Sequence, residues 1–475
     1  MSGEHTQRVK YIVGDYLAAN IGWIFYLAIR YELIRGSEGL TNINTFAEFL
    51  TSTGTTLGII FFPFLMILIS YLSGYYNTVF FKSRLQEAST TFMSTLIASL
   101  LMFFIVLIND SFPERLKNYE LILSMWLILF TSIYSTRLIL TGRIIARIHS
   151  GKLSFNTLII GNNKKSHQFL DKITKKSKPT GYQIKGIVSL AGETKAKYKD
   201  INEYEIEDIE RICQEKNIDI LIISPYKREK SEVFSLINKL FKLNIPIKIT
   251  PELYDIITSR IRHANLLTEP LIDIAQSDMP ESQKSIKRTA DIIFSAIALI
   301  MLAPIFCIIS ILIKMDSKGS IIYKQERVGR YGKIFKIYKF RTMVTNAEKD
   351  NIPQLSSADD SRITKVGKFL RKYRLDETLQ FWNVIKGDMS LVGPRPERKY
   401  FVDQILNSAP YYTLIYQIRP GITSLGMVKF GYATNINEMI ERAKYDIIYI
   451  ENMSLLIDLK IIIYTIKTVI TGKGL

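Results

Sequence analysis

Cysteine and histidine are scarce in this chain: Cys213 and Cys307, then His5, His149, His167 and His263, among 475 residues. Two distant thiols exclude a disulfide scaffold and any cysteine-based zinc site, and four scattered imidazoles exclude a His-rich metal centre. Acid is in deficit as well. Lys plus Arg is 62 against 44 Asp plus Glu, a net charge of +18 with a pI near 9.5. Such an excess implies an anionic partner: nucleic acid, an anionic membrane face, or a phosphorylated substrate. What the chain has is apolar mass: 47% hydrophobic and 11% aromatic residues, enough to exclude disorder over most of its length.

That apolar mass is concentrated in the first third. A helix crosses the hydrocarbon core in about 20 residues, and four segments fit: Tyr11–Ile29, Leu57–Tyr76, Ala88–Ile108 and Leu121–Leu138. The second and third carry no charge, Asp15 stands near the entrance of the first, and Trp23 and Trp126 suit the interfaces. A true span is expected over a signal peptide for the first segment. Its apolar stretch is long, no small-residue cleavage site follows, and further spans come after it. Arg8 and Lys10, Lys82 and Arg84, then Arg143, Arg147 and Lys152 flank alternate ends of the spans. The opposite loops are mixed: Arg35 against Glu38 and Glu48, then Arg115 and Lys117 against Asp110 and Glu114. The positive-inside rule therefore places the N-terminus and everything after about residue 140 in the cytoplasm.

From Phe155 the pattern changes. Thr157–Gly161, Tyr182–Leu190, Ile218–Ser224 and Ile245–Ile249 read as strands, with Ile206–Glu215 and Ser231–Leu243 as helices between them. This alternation predicts βαβ units on a parallel sheet, a Rossmann-like arrangement. The turn Gly161-Asn162-Asn163 holds only the first glycine of a dinucleotide fingerprint, so a structural or regulatory use is favoured over nucleotide binding.

The run Ile292–Ile313 is long enough to cross a bilayer, yet both flanks are basic: Lys284, Lys287 and Arg288 before, Lys314, Lys318 and Lys324 after. Pro304, near its middle, removes a backbone donor and bends or breaks a helix. A helix that enters, breaks and returns satisfies both facts; a Pro-kinked fifth span is the other arrangement open. Residues 282–343 hold 12 Lys or Arg against three acids, a local +9 suited to anionic headgroups and to phosphate binding together. Nucleic acid is the weaker reading, since the patch directly follows a membrane segment.

Beyond it, Thr378–Lys386 reads as a short amphipathic helix stopped by Gly387, which would set Asp376 at or near its N-cap. Capping alone would explain that residue. However, a helix start beside Arg371 and Arg374 also keeps a carboxylate ionised and attracts phosphate. Adjacent acids Asp376 and Glu377 repel unless a cation sits near them, and Mg²⁺, bound by one or two carboxylates plus substrate phosphates, is the natural one. Gly393-Pro-Arg-Pro396 holds Arg395 on a rigid turn, ready to meet a phosphate.

The string Leu375-Asp-Glu…Gln380…Trp382-Asn-Val-Ile-Lys-Gly-Asp-Met-Ser-Leu-Val-Gly-Pro-Arg-Pro396 closely resembles the signature of the bacterial sugar transferases, the monotopic phosphoglycosyl transferases. The resemblance runs from Lys287-Arg288…Asp291 through Pro304, Gln325…Gly329, Lys339–Met343 and Arg419-Pro-Gly-Ile-Thr423 to the C-terminus, roughly 190 residues. After Thr423 the family usually continues Gly-Leu-Trp-Gln-Val, where this chain has Ser424-Leu-Gly-Met-Val428, so no sugar identity is transferred.

The resemblance implies a multidomain membrane protein of the long form: an α-helical transmembrane bundle (1–150), a cytoplasmic Rossmann-like α/β domain (151–280), and a mostly α-helical catalytic domain (281–475) with a re-entrant helix (290–314). It implies transfer of hexose-1-phosphate from a UDP-sugar to undecaprenyl phosphate at the bacterial inner membrane, starting O-antigen, capsule or exopolysaccharide synthesis, by a protein that forms homodimers. Asp376 and Glu377 would be catalytic and metal-binding, with Mg²⁺ as cofactor. Arg371, Arg395, Lys339 and Arg341 would grip phosphates, and Pro304 would be structural. A multispanning transferase would need about ten spans, an Asp-x-Asp glycosyltransferase lacks its motif here, and a non-enzymatic scaffold would leave the acid pair idle.

Overall fold

The computed structural model describes residues 3–34, 45–77, 79–80, 82, 84–109, 115–174, 179–190, 192–193, 201–224, 230–241, 243, 245–250, 272–273, 279–345, 347 and 360–470. Arg35, Glu38, Asp110 and Glu114, which enter the orientation argument, lie outside the described residues. Five described helices are long and apolar enough to cross a membrane. Four are α1 (Glu4–Ile34), α2 (Thr53–Leu72), α3 (Arg84–Asn109) and α4 (Arg115–His149); the fifth runs Glu281–Asp316. The second expected span ends early, at Leu72, because residues 73–77 form a turn.

Inside the bundle, Trp23 stacks on Phe62 at 4.4 Å and sits over Gly58, where a Cβ would meet the indole at 3.0 Å. A polar knot crosses this apolar core. Arg137 and Asp15, both fully buried, meet at 2.6 Å; Arg137 also donates to Thr91 and Ser70 at 2.8 Å each. Each of the four helices thus contributes one member. Polar groups in hydrocarbon cost several kcal/mol unless satisfied, so this knot fixes the register of all four helices.

The middle region is a sheet in the order β3-β2-β1-β4-β5-β6. Its strands are β1 (Phe155–Ile160), β2 (Tyr182–Ser189), β3 (Glu203–Glu205), β4 (Ile220–Ile223), β5 (Ile247–Ile249) and β6 (Ile272–Asp273). The first five pair in parallel and β6 is antiparallel to β5. Leu158, Ile160, Leu221 and Ile223 face one buried cluster, and Ile159, Ile220 and Ile222 face another. Strands covered on both faces read as continuous apolar runs. The helices α5 (Lys164–Thr174), α6 (Ile209–Glu215) and α7 (Lys230–Phe241) provide that cover. Tyr11, Tyr75, Phe80 and Ile148 of the bundle join the second cluster, so the sheet domain packs on the ends of the membrane helices.

The fifth long helix, α8 (Glu281–Asp316), continues without interruption through Pro304, so the break expected there is not seen. Its start is held by the turn after α2: Asn77 donates to Glu281 Oε2 at 2.9 Å, and a Cβ on Gly74 (φ +78°) would strike the Glu281 backbone at 2.4 Å. Both ends of α8 seat on the last domain. Lys287 pairs with Asp458 at 2.7 Å and Ser390 Oγ donates to Asp291 at 2.6 Å. At the far end Ile309 and Ile313 bury against Phe340 and Leu370, and Val366 N donates to Asp316. Between them, Ile300 and Met301 are 75% and 72% exposed, as lipid-facing side chains would be.

Candidate active site

The antiparallel hairpin β7 (Ile322–Val328) and β8 (Ile334–Phe340) leads into α9 (Lys365–Lys372). Gly367 lets α9 approach the chain after β8: a Cβ there would lie 2.1 Å from the Thr342 carbonyl oxygen. Arg371 Nε donates to Thr342 Oγ1 at 2.9 Å across the same contact. Arg374 then adopts φ +54°, a left-handed conformation that costs a non-glycine residue roughly 1–2 kcal/mol. The reversal produces a single 3-10 turn, Leu375–Glu377, followed by α10 (Gln380–Lys386), which Gly387 ends at φ +98°. The helix therefore starts later than the sequence pattern predicts. Asp376 is not its N-cap but lies inside the turn that precedes it.

The two acids sit side by side with 8% and 6% exposure, and their surroundings differ. Glu377 accepts from Lys339 Nζ at 2.7 Å, with Arg395 at 3.7 Å and Arg374 at 3.9 Å. Burial pushes its carboxyl up, but Lys339, Arg374 and Arg395 more than offset this and hold it well below the usual carboxylate range. Asp376 accepts no hydrogen bond or ion pair among the described residues. Burial first, then the charge of Glu377, push its carboxyl up to about 6; Lys339, Arg371 and Arg374 only partly oppose this. A helix start beside Arg371 was expected to favour the ionised form, and the structure reverses that: no helix begins there, and desolvation dominates.

Of the residues expected to hold phosphate, Lys339 and Arg395 converge on the acid pair, and Arg371 stands behind it on Thr342. Arg341 does not join them. Its guanidinium donates to Ser317 O at 2.6 Å, Ser317 Oγ at 2.9 Å and Lys318 O at 3.1 Å, closing the C-terminus of α8. Main-chain carbonyls just past a helix end are a sufficient partner for an arginine, so its charge alone did not reveal these contacts.

Other site residues escaped the sequence reading. Tyr432 accepts from Arg374 Nη2 at 2.9 Å, and its ring lies 5.3 Å from Arg374 and 5.5 Å from Arg395. Glu397, buried, receives Arg442 at 2.5 Å and Arg327 at 3.3 Å, with Arg395 at 3.9 Å. Asp446 accepts from the backbone N–H groups of Gly426 and Arg395, fixing the turn that carries Arg395. An acid directly after Gly393-Pro-Arg-Pro396 was a readable signal for Glu397; Tyr432 offered none.

The donor set suits Mg²⁺ in one way only. Among the described residues no group of three His, Cys, Asp or Glu side chains could cage a metal. Two adjacent hard carboxylates fit the ion's habit of taking one or two protein oxygens and completing its shell with substrate phosphates and water. Asp376 has free oxygens, whereas Lys339 already occupies one oxygen of Glu377.

An acidic pair of opposed electrostatics, with Lys339, Arg374 and Arg395 around Glu377, thus lies in the same domain as a long apolar helix. The family model described as bacterial sugar transferase matches residues 282–472. A UDP-N-acetylgalactosamine-undecaprenyl-phosphate N-acetylgalactosaminephosphotransferase of Aeromonas hydrophila is 38% identical over 231 residues, 49% of this chain and 54% of the relative. A UDP-glucose:undecaprenyl-phosphate glucose-1-phosphate transferase of Klebsiella pneumoniae is 33% identical over 294 residues, 60% of this chain and 62% of the relative. The exopolysaccharide production protein ExoY of Sinorhizobium fredii is 36% identical over 206 residues, which cover 40% of this chain and 87% of that protein. The chain belongs to the bacterial sugar transferase family. It spans somewhat over half the length of the first two relatives.

Proposed function

We propose that this protein transfers a sugar-1-phosphate from a UDP-sugar to undecaprenyl phosphate, releasing UMP, to begin assembly of an O-antigen, capsule or exopolysaccharide. Family membership and the activities named for its relatives support the reaction class. The observation that carries the mechanism is the unequal acid pair: Glu377 is gripped by Lys339, while Asp376, beside it, has no hydrogen-bond or ion-pair partner among the described residues. A carboxylate without hydrogen bonds keeps its lone pairs for attack.

Both substrates are anions, and direct attack of one on the other meets their mutual repulsion. In two displacements, an Asp376 oxygen attacks the sugar-bearing phosphorus, the P–O bond to the UMP phosphate breaks, and UMP leaves with that electron pair. The lipid phosphate oxygen then attacks the same phosphorus, releasing Asp376 as carboxylate and leaving the lipid diphosphate sugar. Lys339 and Arg395 meet negative charge developing on the phosphoryl oxygens. Tyr432 orients Arg374, and Glu397 with Asp446 holds the Arg395 turn. Mg²⁺, held by Asp376 and Glu377 with substrate phosphates, would supply charge neutralisation for the diphosphate.

The setting is read as the inner membrane with the catalytic and α/β domains cytoplasmic. The basic flanks support this, as does the packing of the sheet domain on bundle ends near Arg147. We read α8 as re-entrant because both its ends seat on one domain while its middle is exposed, although the helix is unbroken at Pro304. The strand order β3-β2-β1-β4-β5 supports a Rossmann-like domain, and a second copy is assigned as partner by family likeness.

The test is UMP release from a panel of UDP-sugars with undecaprenyl phosphate and Mg²⁺. One sugar should support turnover, and UDP-sugar alone should leave hexose-phosphate on a peptide containing Asp376. Turnover that requires both substrates bound together, with no adduct, would refute the two-step course.

A further inference from the structure

A cavity of about 700 Å³ opens where the three regions meet, away from Asp376 and Glu377. Arg8 and Asn77 of the bundle, Pro246 of the sheet domain, and Arg288, Arg330 and Arg419 of the last domain are among its walls. Its size suits a ligand of nucleotide or headgroup dimensions. Most of the charges lining it are already matched. Arg8 pairs with Glu4 at 2.9 Å, Lys284 with Glu281 at 2.7 Å and Lys287 with Asp458 at 2.7 Å. Asp291, the remaining acid of the lining, is held by Ser390 Oγ and Leu391 N.

Three arginines are left. Arg288, Arg330 and Arg419 form no ion pair among the described residues; each is aimed by main-chain carbonyls instead. Arg288 donates to Val384 O and Ile385 O, Arg419 Nε to Gly387 O, and Arg330 Nε to Gln417 O. These bonds leave both terminal nitrogens of Arg330 and of Arg419 without an acceptor among the described residues. Capping of the α10 C-terminus would explain one cation there. It does not explain two at that helix end with a third beside them. Burial lowers the Arg419 pKa, and the charges of Arg288 and Arg330 lower it further; Asp291 of the same lining opposes them without reversing the shift. Arg330 is also presented on a strained turn: the next residue, Tyr331, has φ +58°, and the guanidinium stacks on its ring at 4.5 Å.

We propose that this junction cavity is a second anion site, recognising a phosphate-bearing ligand through Arg288, Arg330 and Arg419. Guanidinium forks match phosphate oxygens in pairs, and a diphosphate would engage all three cations at once. Because the walls come from three regions, occupancy ties the bundle, the sheet domain and the last domain together. The phosphate belongs either to a soluble compound or to a lipid headgroup, since the cavity borders the start of α8.

The experiment is hydrogen–deuterium exchange on the full chain in phosphatidylcholine nanodiscs, with inorganic pyrophosphate as probe, repeated in nanodiscs containing phosphatidylglycerol. Exchange in peptides covering 328–333 and 417–421 should slow about tenfold with one of the probes. Pyrophosphate protection identifies a soluble phosphate, and protection with phosphatidylglycerol alone identifies a headgroup. The double variant R330Q/R419Q should lose that protection, and R330K/R419K, which keeps the charge without the fork, should lose most of it. No protection by either probe, or protection that survives in R330Q/R419Q, overturns the proposal.

Discussion

Replacing Asp376, the proposed nucleophile, should make this protein more stable while it abolishes turnover. The Asp376 carboxyl is pushed from an ordinary 3.8 to about 6, by burial first and the Glu377 charge second. At about 1.4 kcal/mol per pH unit, keeping it ionised in the folded state costs on the order of 3 kcal/mol at pH 7 and above. Asp376→Asn removes that cost and keeps the shape. The folded state binds the proton more tightly than the unfolded chain, so wild-type stability rises relative to the variant as pH falls. The gap should be full above pH 7, about half as large at pH 5, and closed below about pH 4. For a domain of this size the full gap corresponds to roughly 6–12 °C in Tm. Thermal unfolding in detergent at pH 7.5, 5 and 4, with the variant beside wild type, measures it. The same shift sets the rate. Single-turnover UMP release from UDP-sugar, whose diphosphate does not titrate in this range, should fall about tenfold per pH unit below 6. A variant no more stable than wild type at pH 7.5, or release that stays flat down to pH 4.5, would refute the assigned burial and nucleophile.

Lys339→Met takes the nearest cation from Glu377 and the largest opposing charge from Asp376; UMP release should drop about 100-fold, with its acid limb displaced toward neutral pH. Arg341→Gln should lower Tm by loosening the end of α8 while leaving KM for the UDP-sugar within about twofold, because its partners are Ser317 and Lys318 and not the site. Arg137→Met strands the buried Asp15 and should cost about 3–5 kcal/mol in the bundle, and adding Asp15→Leu should restore most of it, both read as Tm in detergent. Cysteines placed at Ser282 and Lys318, flanking α8, should both react with an impermeant maleimide only after the cytoplasmic side is opened; labelling of either in intact cells would establish a fifth span.

What sequence revealed and what it concealed divide along the range of the forces involved. The membrane helices were legible because each carries its evidence within about 20 contiguous residues. Strands β1 and β4 were legible because both faces are covered and their apolar runs are unbroken. Glu203–Glu205 was not: three residues on the sheet edge, two of them acids, become a strand only by pairing with Ile187–Ser189. In the site, the acid pair, Lys339 and Arg395 could be named from motifs. Their electrostatics could not, since burial and the left-handed turn at Arg374 are tertiary facts. Tyr432 follows Arg395 by dozens of residues and reaches it only in the folded chain. Arg341, a basic residue in a basic segment expected to hold phosphate, instead donates to Ser317 and Lys318 just past the end of α8, a partnership that no local pattern announces.

Adjacent carboxylates at Asp376 and Glu377 gain from being unequal. If both shared the cations, each would be a hydrogen-bonded, weakly nucleophilic anion, and the phosphate-gripping side chains would be neutralised. Three nearby cations go to Glu377, so that acid stays ionised and aligns Lys339, Arg374 and Arg395 around the position the proposed reaction assigns to phosphate. Asp376 receives the longer-range field of Lys339, Arg371 and Arg374, with no hydrogen bond or ion pair among the described residues. Its ionised form is therefore poorly solvated, and in the proposed course attack on phosphorus would relieve that condition by spreading the charge toward Lys339 and Arg395. The cost is a destabilised turn, held by Thr342 on Arg371 and by Tyr432 on Arg374. On this argument the two acids cannot exchange roles: moving the free carboxylate by one position would place it among the cations, where it is stable and inert.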